Sequence, residues 1–439
     1  MHSLSRRTAI LATVWIFIST AQGQDRKPMT QAAVTLDEVI AGGTMDFMEV
    51  RHVVFRGRNE DIGQALAWIA RERLEARPVP ANDRVRTRAQ RNYIQKNYPI
   101  LLERMCGVAR AFNHRLDEDS WNFSGLGYPP MPRPGCSVMY FPPTLTADGK
   151  GIVSRDYDFT TGTILGTWPS PGQLPCTARP YVIEMYPDKG YASLAVCSYD
   201  LLSGVLDGIN SEGLTVALLA DDELSSKFKM DPSGPEGVGL GVLQVLRLLL
   251  DTCANAQEAK EALLLTKQYY EYIPVHYLIA DRHGQSFVWE YSQAHNREYI
   301  IENPGKALVT TNFSLHRYLE GQGPPSADKV RNVCPRYCAL ADRIAKAPER
   351  LTIDWIKETH HQVDAVKPSP KGSPRPPGRT LWHSLYVPEE RKMQVSFYLR
   401  DEPDPEHPDQ IRIIRSGYKH FTLKNGNQKQ NGGKDKVGE

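Results

Sequence analysis

The chain has 439 residues, 41% hydrophobic and 24% charged, with 53 Lys+Arg against 51 Asp+Glu. This is ordinary globular usage with enough apolar material for a sizeable core, so wholesale disorder is excluded. No apolar run reaches the roughly 18 residues that a membrane-spanning helix needs, which excludes that class too.

Residues 1–23 read as a secretory signal. Arg6 and Arg7 form a basic n-region, 9–21 is an apolar h-region of 13 residues, and Ala21-Gln22-Gly23 is a small-x-small cleavage site. The mature chain is predicted to start at Gln24 in a secreted or periplasmic setting. The two leader arginines account for the whole basic excess. A neutral mature chain has no global field for nucleic acid or anionic lipid, so neither nucleic acid nor membrane is a predicted partner.

From 24 to 135 the pattern is mostly helical, with apolar residues near helical spacing in 60–74 and 98–112. Residues 125–135 hold three Gly and four Pro and are predicted to be extended and accessible. After Cys136 the period becomes two. Hairpins are predicted at 137–141/152–159, turning at Asp148-Gly149, then at 180–186/191–199 and 204–210/213–219. Helices follow at 241–253 and 256–265, a hairpin at 275–280/286–291 and a short strand at 307–311. Helices at 326–346 and 353–363 precede a Pro-rich loop at 368–378. A hairpin at 381–387/393–399 and a strand at 411–414 come last. The tail 424–439 is rich in Lys, Gly, Asn and Gln and is predicted to be disordered. Hairpins without crossover helices between strands predict an α+β fold with antiparallel sheets.

Seven cysteines (Cys106, Cys136, Cys176, Cys197, Cys253, Cys334 and Cys338) leave one odd if six pair. Cys334-x-x-x-Cys338 has no partner pair at zinc-ligand spacing, so no metal is predicted. Gly237-x-Gly239-x-Gly241 follows a polar loop rather than a strand, and so fails as a dinucleotide fingerprint.

Cys136 stands apart. It follows Gly135, ends the Pro/Gly segment and opens a strand. Cutting the Gly135–Cys136 bond gives Cys136 a free α-amine beside its thiol, placing nucleophile and base in one residue. Such amines titrate near 7.7–8.0 and thiols near 8.5, so a proton passes readily between them. On the residues alone, a structural or disulfide cysteine is the competing reading.

The surroundings favour chemistry. Gly135-Cys136-Ser137, the Asp148-Gly149 hairpin and Arg155-Asp156-Tyr157-Asp158-Phe159 resemble the start of a mature N-terminal-nucleophile (Ntn) hydrolase chain. The likeness is to the cysteine branch that holds bile salt (choloylglycine) hydrolase, penicillin V acylase and the acyl-CoA:6-aminopenicillanate acyltransferase family. The acyltransferase side fits better. Phe55-Arg56-Gly57-Arg58-Asn59-Glu60-Asp61-Ile62-Gly63 and Met105-Cys106-Gly107-Val108-Ala109 resemble its pro-segment motifs. Gly208-Ile209-Asn210-Ser211-Glu212-Gly213-Leu214, Tyr277-Leu278-Ile279-Ala280-Asp281-Arg282-His283-Gly284 and Val309-Thr310-Thr311-Asn312-Phe313 resemble later ones, in the same order.

The resemblance implies a four-layer αββα sandwich with antiparallel sheets. It divides the chain into a signal (1–23), a helical pro-segment or α chain (24–135), a β chain (136–423) and a tail (424–439). It makes Cys136 the nucleophile and amine base, Asp158 the carboxylate that holds the amine, Arg155 a cation beside the thiolate, and Asn312 an oxyanion donor. Asn312-Phe313-Ser314 and Asn122-Phe123-Ser124 are also glycosylation sequons. On an ideal strand Arg155 and Asp158 face opposite sides. Both serve one site only if a bulge or strand end intervenes, and Asp156 is the fallback. Two features depart from the relatives: Leu219-Ala220-Asp221-Asp222 lacks the second oxyanion Asn of bile salt hydrolases, and Ser137 stands where the acyltransferases often have Thr. Arg379 is a weak match to a late active-site Arg, and His360 and His361 are left outside the site.

The expected function is therefore an exported, autoprocessed cysteine amidohydrolase. It would cleave a small-molecule N-acyl amide at a linear, non-peptide C–N bond through a thioester. No cofactor is needed, and an oligomer is possible. Acyl transfer to an amine and an inactive, uncleaved ligand-binding relative are the alternatives, with a papain-like thiol protease a weaker third.

Overall fold

The alternating segments after Cys136 pair into two large sheets, and the strand ends of one of them gather the candidate site residues. The structure is a computed structural model. It describes residues 33–127, 135–162, 177–198, 201–221, 237–270, 273–292, 294–321, 323–366, 376–407 and 410–424. The signal at 1–23, Cys176, most of the Pro-rich loop and nearly all of the C-terminal tail lie outside the described residues.

In chain order the first elements are β1 (Val34–Gly42), β2 (Glu49–Gly57), α1 (Asn59–Leu74), β3 (Arg77–Pro80), α2 (Arg84–Asn97), α3 (Pro99–Ala111) and β4 (Trp121–Gly127). Then come β5 (Gly135–Phe141), β6 (Ile152–Thr160), β7 (Tyr181–Pro187), β8 (Ser193–Cys197), β9 (Val205–Asn210) and β10 (Thr215–Ala220). The middle holds β11 (Leu240–Gly241), α4 (Val242–Thr252), α5 (Ala256–Leu265), β12 (Gln268–Tyr269), β13 (Val275–Ala280), β14 (Ser286–Ser292), β15 (Arg297–Ile301) and β16 (Leu308–Thr310). The last elements are α6 (Ala327–Val330), α7 (Pro335–Ile344), α8 (Ile353–His361), β17 (Gly378–Val387), β18 (Lys392–Pro403), β19 (Ile411–Arg415) and β20 (Lys419–Thr422).

Among the described residues one sheet has nine strands in the order β1-β2-β7-β8-β9-β10-β13-β14-β15, and the other has seven, β16-β5-β6-β17-β18-β19 with β20 also on β18. Pairing within them is antiparallel, as expected, except for β2 against β7, where Arg51 faces Tyr181 in a parallel ladder. The sheets meet through side chains of β6 and β17 on the second and β9 on the first. Trp382 Nε1 and Tyr386 OH both donate to Asp207, at 3.1 and 2.7 Å.

The segment before Cys136 is not simply helical. Its first part supplies β1 and β2 to the nine-stranded sheet. Glu49–Gly57 mixes Arg51, His52 and Arg56 with Val53, Val54 and Phe55, so no clean alternation marks it. The helix α2 was likewise not expected. Its sequence is largely polar, and it is started by Asp83, whose side chain accepts from the Val85 and Arg86 N–H groups. Helices α1 and α3 lie unusually close. A Cβ on Gly107 would come 2.0 Å from the Glu60 carbonyl oxygen, and one on Gly63 would come 2.1 Å from that of Arg104. Fully buried Arg104 then pairs with Asp251 of α4 at 2.6 Å, and Tyr98 donates to the same carboxylate at 2.5 Å. The segment before Cys136 is thus bonded into the core.

The single helix expected at 326–346 is two, α6 and α7. Pro335 begins the second, and Cys334 before it is extended at φ −141°, ψ 94°, as a residue preceding proline must be.

Candidate active site

Three neighbouring strands of the second sheet end together and converge on Cys136. Gly135 and Cys136 open β5, Asp158 lies near the end of β6, and Asn312 follows the end of β16. The ladder between β5 and β6 is regular, pairing Gly135 with Asp158 and Cys136 with Tyr157. Arg155 and Asp158 do face opposite sides, and no bulge in β6 brings them together. Arg155 reaches across to the first sheet, while the strand end places Asp158 against Gly135. A Cβ on Gly135 would stand 3.1 Å from Asp158 Cβ and 3.4 Å from its Oδ2.

Arg155 Nη2 lies 3.7 Å from the Cys136 sulfur and donates to the Leu218 carbonyl at 3.1 Å. Its Nη1 pairs with Asp207 at 3.3 Å, with both side chains fully buried. Burial works against the Arg155 charge, but Asp207 and then the Cys136 sulfur outweigh it and the guanidinium pKa is raised. Asp207, itself held by Trp382 and Tyr386, therefore fixes a cation beside the sulfur.

The Cys136 N–H donates to Asn312 Oδ1 at 2.5 Å. Arg336 Nη2 donates to the same oxygen at 2.7 Å, and Asn312 Nδ2 donates to the Ala220 carbonyl at 2.6 Å. Two donors on one side and an acceptor on the other fix the orientation of the amide. Asn312 thus turns its oxygen, not its N–H, toward the backbone nitrogen of Cys136. The loop bearing it is braced by Glu290, which accepts from the Leu315 and His316 N–H groups at 2.8 and 2.9 Å.

Arg336, near the start of α7, is a site residue that the sequence did not reveal. Besides Asn312, its Nη1 donates to the Cys136 carbonyl at 3.1 Å and to Asp158 Oδ2 at 3.0 Å. Thr380 donates to Asp158 Oδ1 at 2.6 Å. Burial raises the Asp158 pKa, against the pull of Arg336 and Thr380 toward the charged form. Arg379, the weak late candidate, instead forks onto Asp401 at 3.0 and 2.6 Å.

The four expected residues are thus brought together: Arg155 on the sulfur, Asn312 on the nitrogen and Asp158 on the preceding glycine. Asp156, the fallback, points to the same face as Asp158 but into α8, 3.4 Å from His360 Nε2. His360 and His383 are fully buried there. Cys106, Cys253, Cys334 and Cys338 form no disulfide.

A family model described as acyl-coenzyme A:6-aminopenicillanic acid acyl-transferase matches residues 175–400, more than half of the chain. The chain belongs to this family, and with it to the Ntn-type enzymes. The matched span carries Asn312, Arg336 and Thr380, while Cys136, Arg155 and Asp158 precede it. Among solved structures, the chain is similar to a conjugated bile acid hydrolase from Clostridium perfringens, at 18% identity over 66% of this chain and 96% of that one, with a TM-score of 0.41. A second variant of that hydrolase gives 17%, 66%, 98% and 0.40. Penicillin V acylase from Agrobacterium tumefaciens gives 15%, 66%, 92% and 0.35. No curated protein sequence matches the chain.

Proposed function

We propose that the protein is an exported precursor that cuts itself at Gly135–Cys136 and then hydrolyses small N-acyl amides. The observation that carries this reading is the convergence on Cys136: a cation at its sulfur, the Asn312 oxygen on its nitrogen and the Asp158 carboxyl against Gly135.

In the first step the Cys136 sulfur bonds to the Gly135 carbonyl carbon. The bond from that carbon to the Cys136 nitrogen breaks, and the thiol proton passes to the nitrogen. Water then cleaves the thioester, leaving a Gly135 carboxylate and a Cys136 that bears both thiol and amine. Asn312 Oδ1 and Asp158 are the acceptors that hold the new amine. In turnover the thiol gives its proton to the amine as sulfur attacks the substrate carbonyl. The amine returns the proton to the leaving nitrogen, and water releases the acyl group as a carboxylate. If Asn312 is also to donate to the oxyanion, its Nδ2 must first release the Ala220 carbonyl.

Acyl transfer to an amine in place of water is the second reading, and membership of a family described as an acyl-transferase favours it. Intact mass and N-terminal sequencing of purified protein test the first step. A fragment beginning at Cys136 supports it, and a single chain unaltered by Cys136→Ala overturns it. A panel of N-acyl amides with graded chain length, run with and without an amine acceptor, then separates hydrolysis from transfer.

A further inference from the structure

The nucleophile strand has a second polar face that this chemistry does not use. Ser137 alternates with Cys136 and points away from Arg155, toward α8. There Ser137 Oγ lies 2.9 Å from His360 Nε2, and His360 Nδ1 lies 2.7 Å from Ser154 Oγ. Ser154 Oγ is in turn 2.8 Å from His383 Nε2, and His383 Nδ1 is 2.5 Å from the Tyr418 hydroxyl. Ser137, Ser154, His360 and His383 are all fully buried. The outer end approaches solvent, since Tyr418 OH lies 3.4 Å from His361 Nε2.

We propose that His360 is a positioning residue for the nucleophile, set in place by the hydrogen-bond relay Ser137–His360–Ser154–His383–Tyr418. The inference rests on the reading of Cys136 as the nucleophile. Each hydroxyl and each neutral imidazole has one proton, so the chain of bonds has three self-consistent arrangements. In one, Tyr418 donates to His383, His383 to Ser154, Ser154 to His360, and His360 to Ser137. In the second every bond is reversed, and in the third both rings donate to Ser154 while Ser137 and Tyr418 donate to the rings. Any other mixture puts two protons or none into one contact, so the tautomers of the two rings are coupled. Burial holds both rings in the neutral form this requires, with pKa values well below the usual histidine range.

The consequence lies at the inner end. His360 pins the residue after Cys136 from one face of the sheet, while Arg336 holds the Cys136 carbonyl. Between them the backbone at the nucleophile cannot turn as its nitrogen changes from amide to amine. Asp156, His360 and His383 also offer ligand atoms within 4.8 Å of one another. A metal there would have to displace serine hydroxyls from the ring nitrogens, so the observations favour the relay.

The test follows the full-length chain. Conversion to two chains and iodoacetamide labelling of Cys136 are timed for the wild type, Ser137→Ala, Ser137→Thr and Tyr418→Phe, alongside thermal unfolding. Ser137→Ala is expected to slow both reactions about tenfold, and Ser137→Thr, which keeps the hydroxyl, to stay within about twofold of wild type. Tyr418→Phe removes one half-buried oxygen far from the sulfur and is expected to slow conversion roughly threefold with little change in melting temperature. Wild-type rates in both Ser137→Ala and Tyr418→Phe overturn the relay, as does stoichiometric zinc that disappears with His383→Ala. If the wild type never yields a fragment beginning at Cys136, the nucleophile reading itself has failed.

Discussion

Replacing Arg155 by Met isolates the electrostatic contribution to the reactivity of Cys136. At an effective dielectric of about 20, opposite unit charges at the observed 3.7 Å attract by about 4.5 kcal/mol. The guanidinium spreads its charge, and Asp207 at 3.3 Å offsets part of it. About 2–4 kcal/mol is then left for the thiolate, or roughly 30- to 1,000-fold in its formation. The assay is pseudo-first-order iodoacetamide labelling of Cys136, quantified by peptide mass. Met leaves Asp207 as an uncompensated buried carboxylate, a loss of about 3–5 kcal/mol in stability. The double variant Arg155→Met with Asp207→Asn removes both charges and restores most of that stability, but not the labelling rate. A labelling rate within about threefold of wild type in the folded double variant refutes the reasoning.

Other parts of the structure give equally definite expectations. Gly135→Ala pushes a methyl against the Asp158 carboxyl and should slow appearance of the Cys136 fragment at least about tenfold while leaving the melting temperature nearly unchanged, as followed by gel and calorimetry. Gly107→Ala must part α1 from α3, where a Cβ would stand 2.0 Å from the Glu60 carbonyl oxygen. It should cost about 2–4 kcal/mol in urea unfolding, because two backbones rather than a side chain must yield. Asp156→Asn should flatten the pH dependence of stability. Burial, then Asp364 and Asp158, raise the Asp156 pKa well above its ordinary 3.8. Its contribution is therefore fully present below about pH 3.8 and is lost as pH rises through the folded-state value. Melting temperatures across pH 4–8 should fall in the wild type relative to the Asn variant as pH increases, and parallel curves would contradict this.

Much of the β architecture was legible because its signals are local. The hairpin β13–β14 has its strands and its Asp281-to-Gly284 turn within one short stretch, and the period of two follows from the pleat. The helix α5 matches its expected bounds, since Asn255 caps it by accepting from the Glu258 N–H. Neither β1 nor β2 has such a signal. Charged residues interrupt both strands, and β2 is fixed by pairing with β7, about 130 residues further along.

For the site, the residues next to Cys136 in sequence and the motif-borne Asn312 could be named from their types and order. Arg336, Asp207 and His360 could not. An arginine at the second position of a helix, an aspartate in an apolar strand and a histidine near a helix end carry no local mark, because each acquires its role from a contact with a residue 52–223 positions away. The direction in which the Asn312 amide points was also beyond the sequence. It is decided by two donors and a carbonyl that meet only when β5, β10 and α7 are packed together. Sequence thus named the candidate residues Cys136, Arg155, Asp158 and Asn312. The tertiary structure decided which charges and hydrogen bonds surround them, because those depend on three-dimensional distance and not on chain separation.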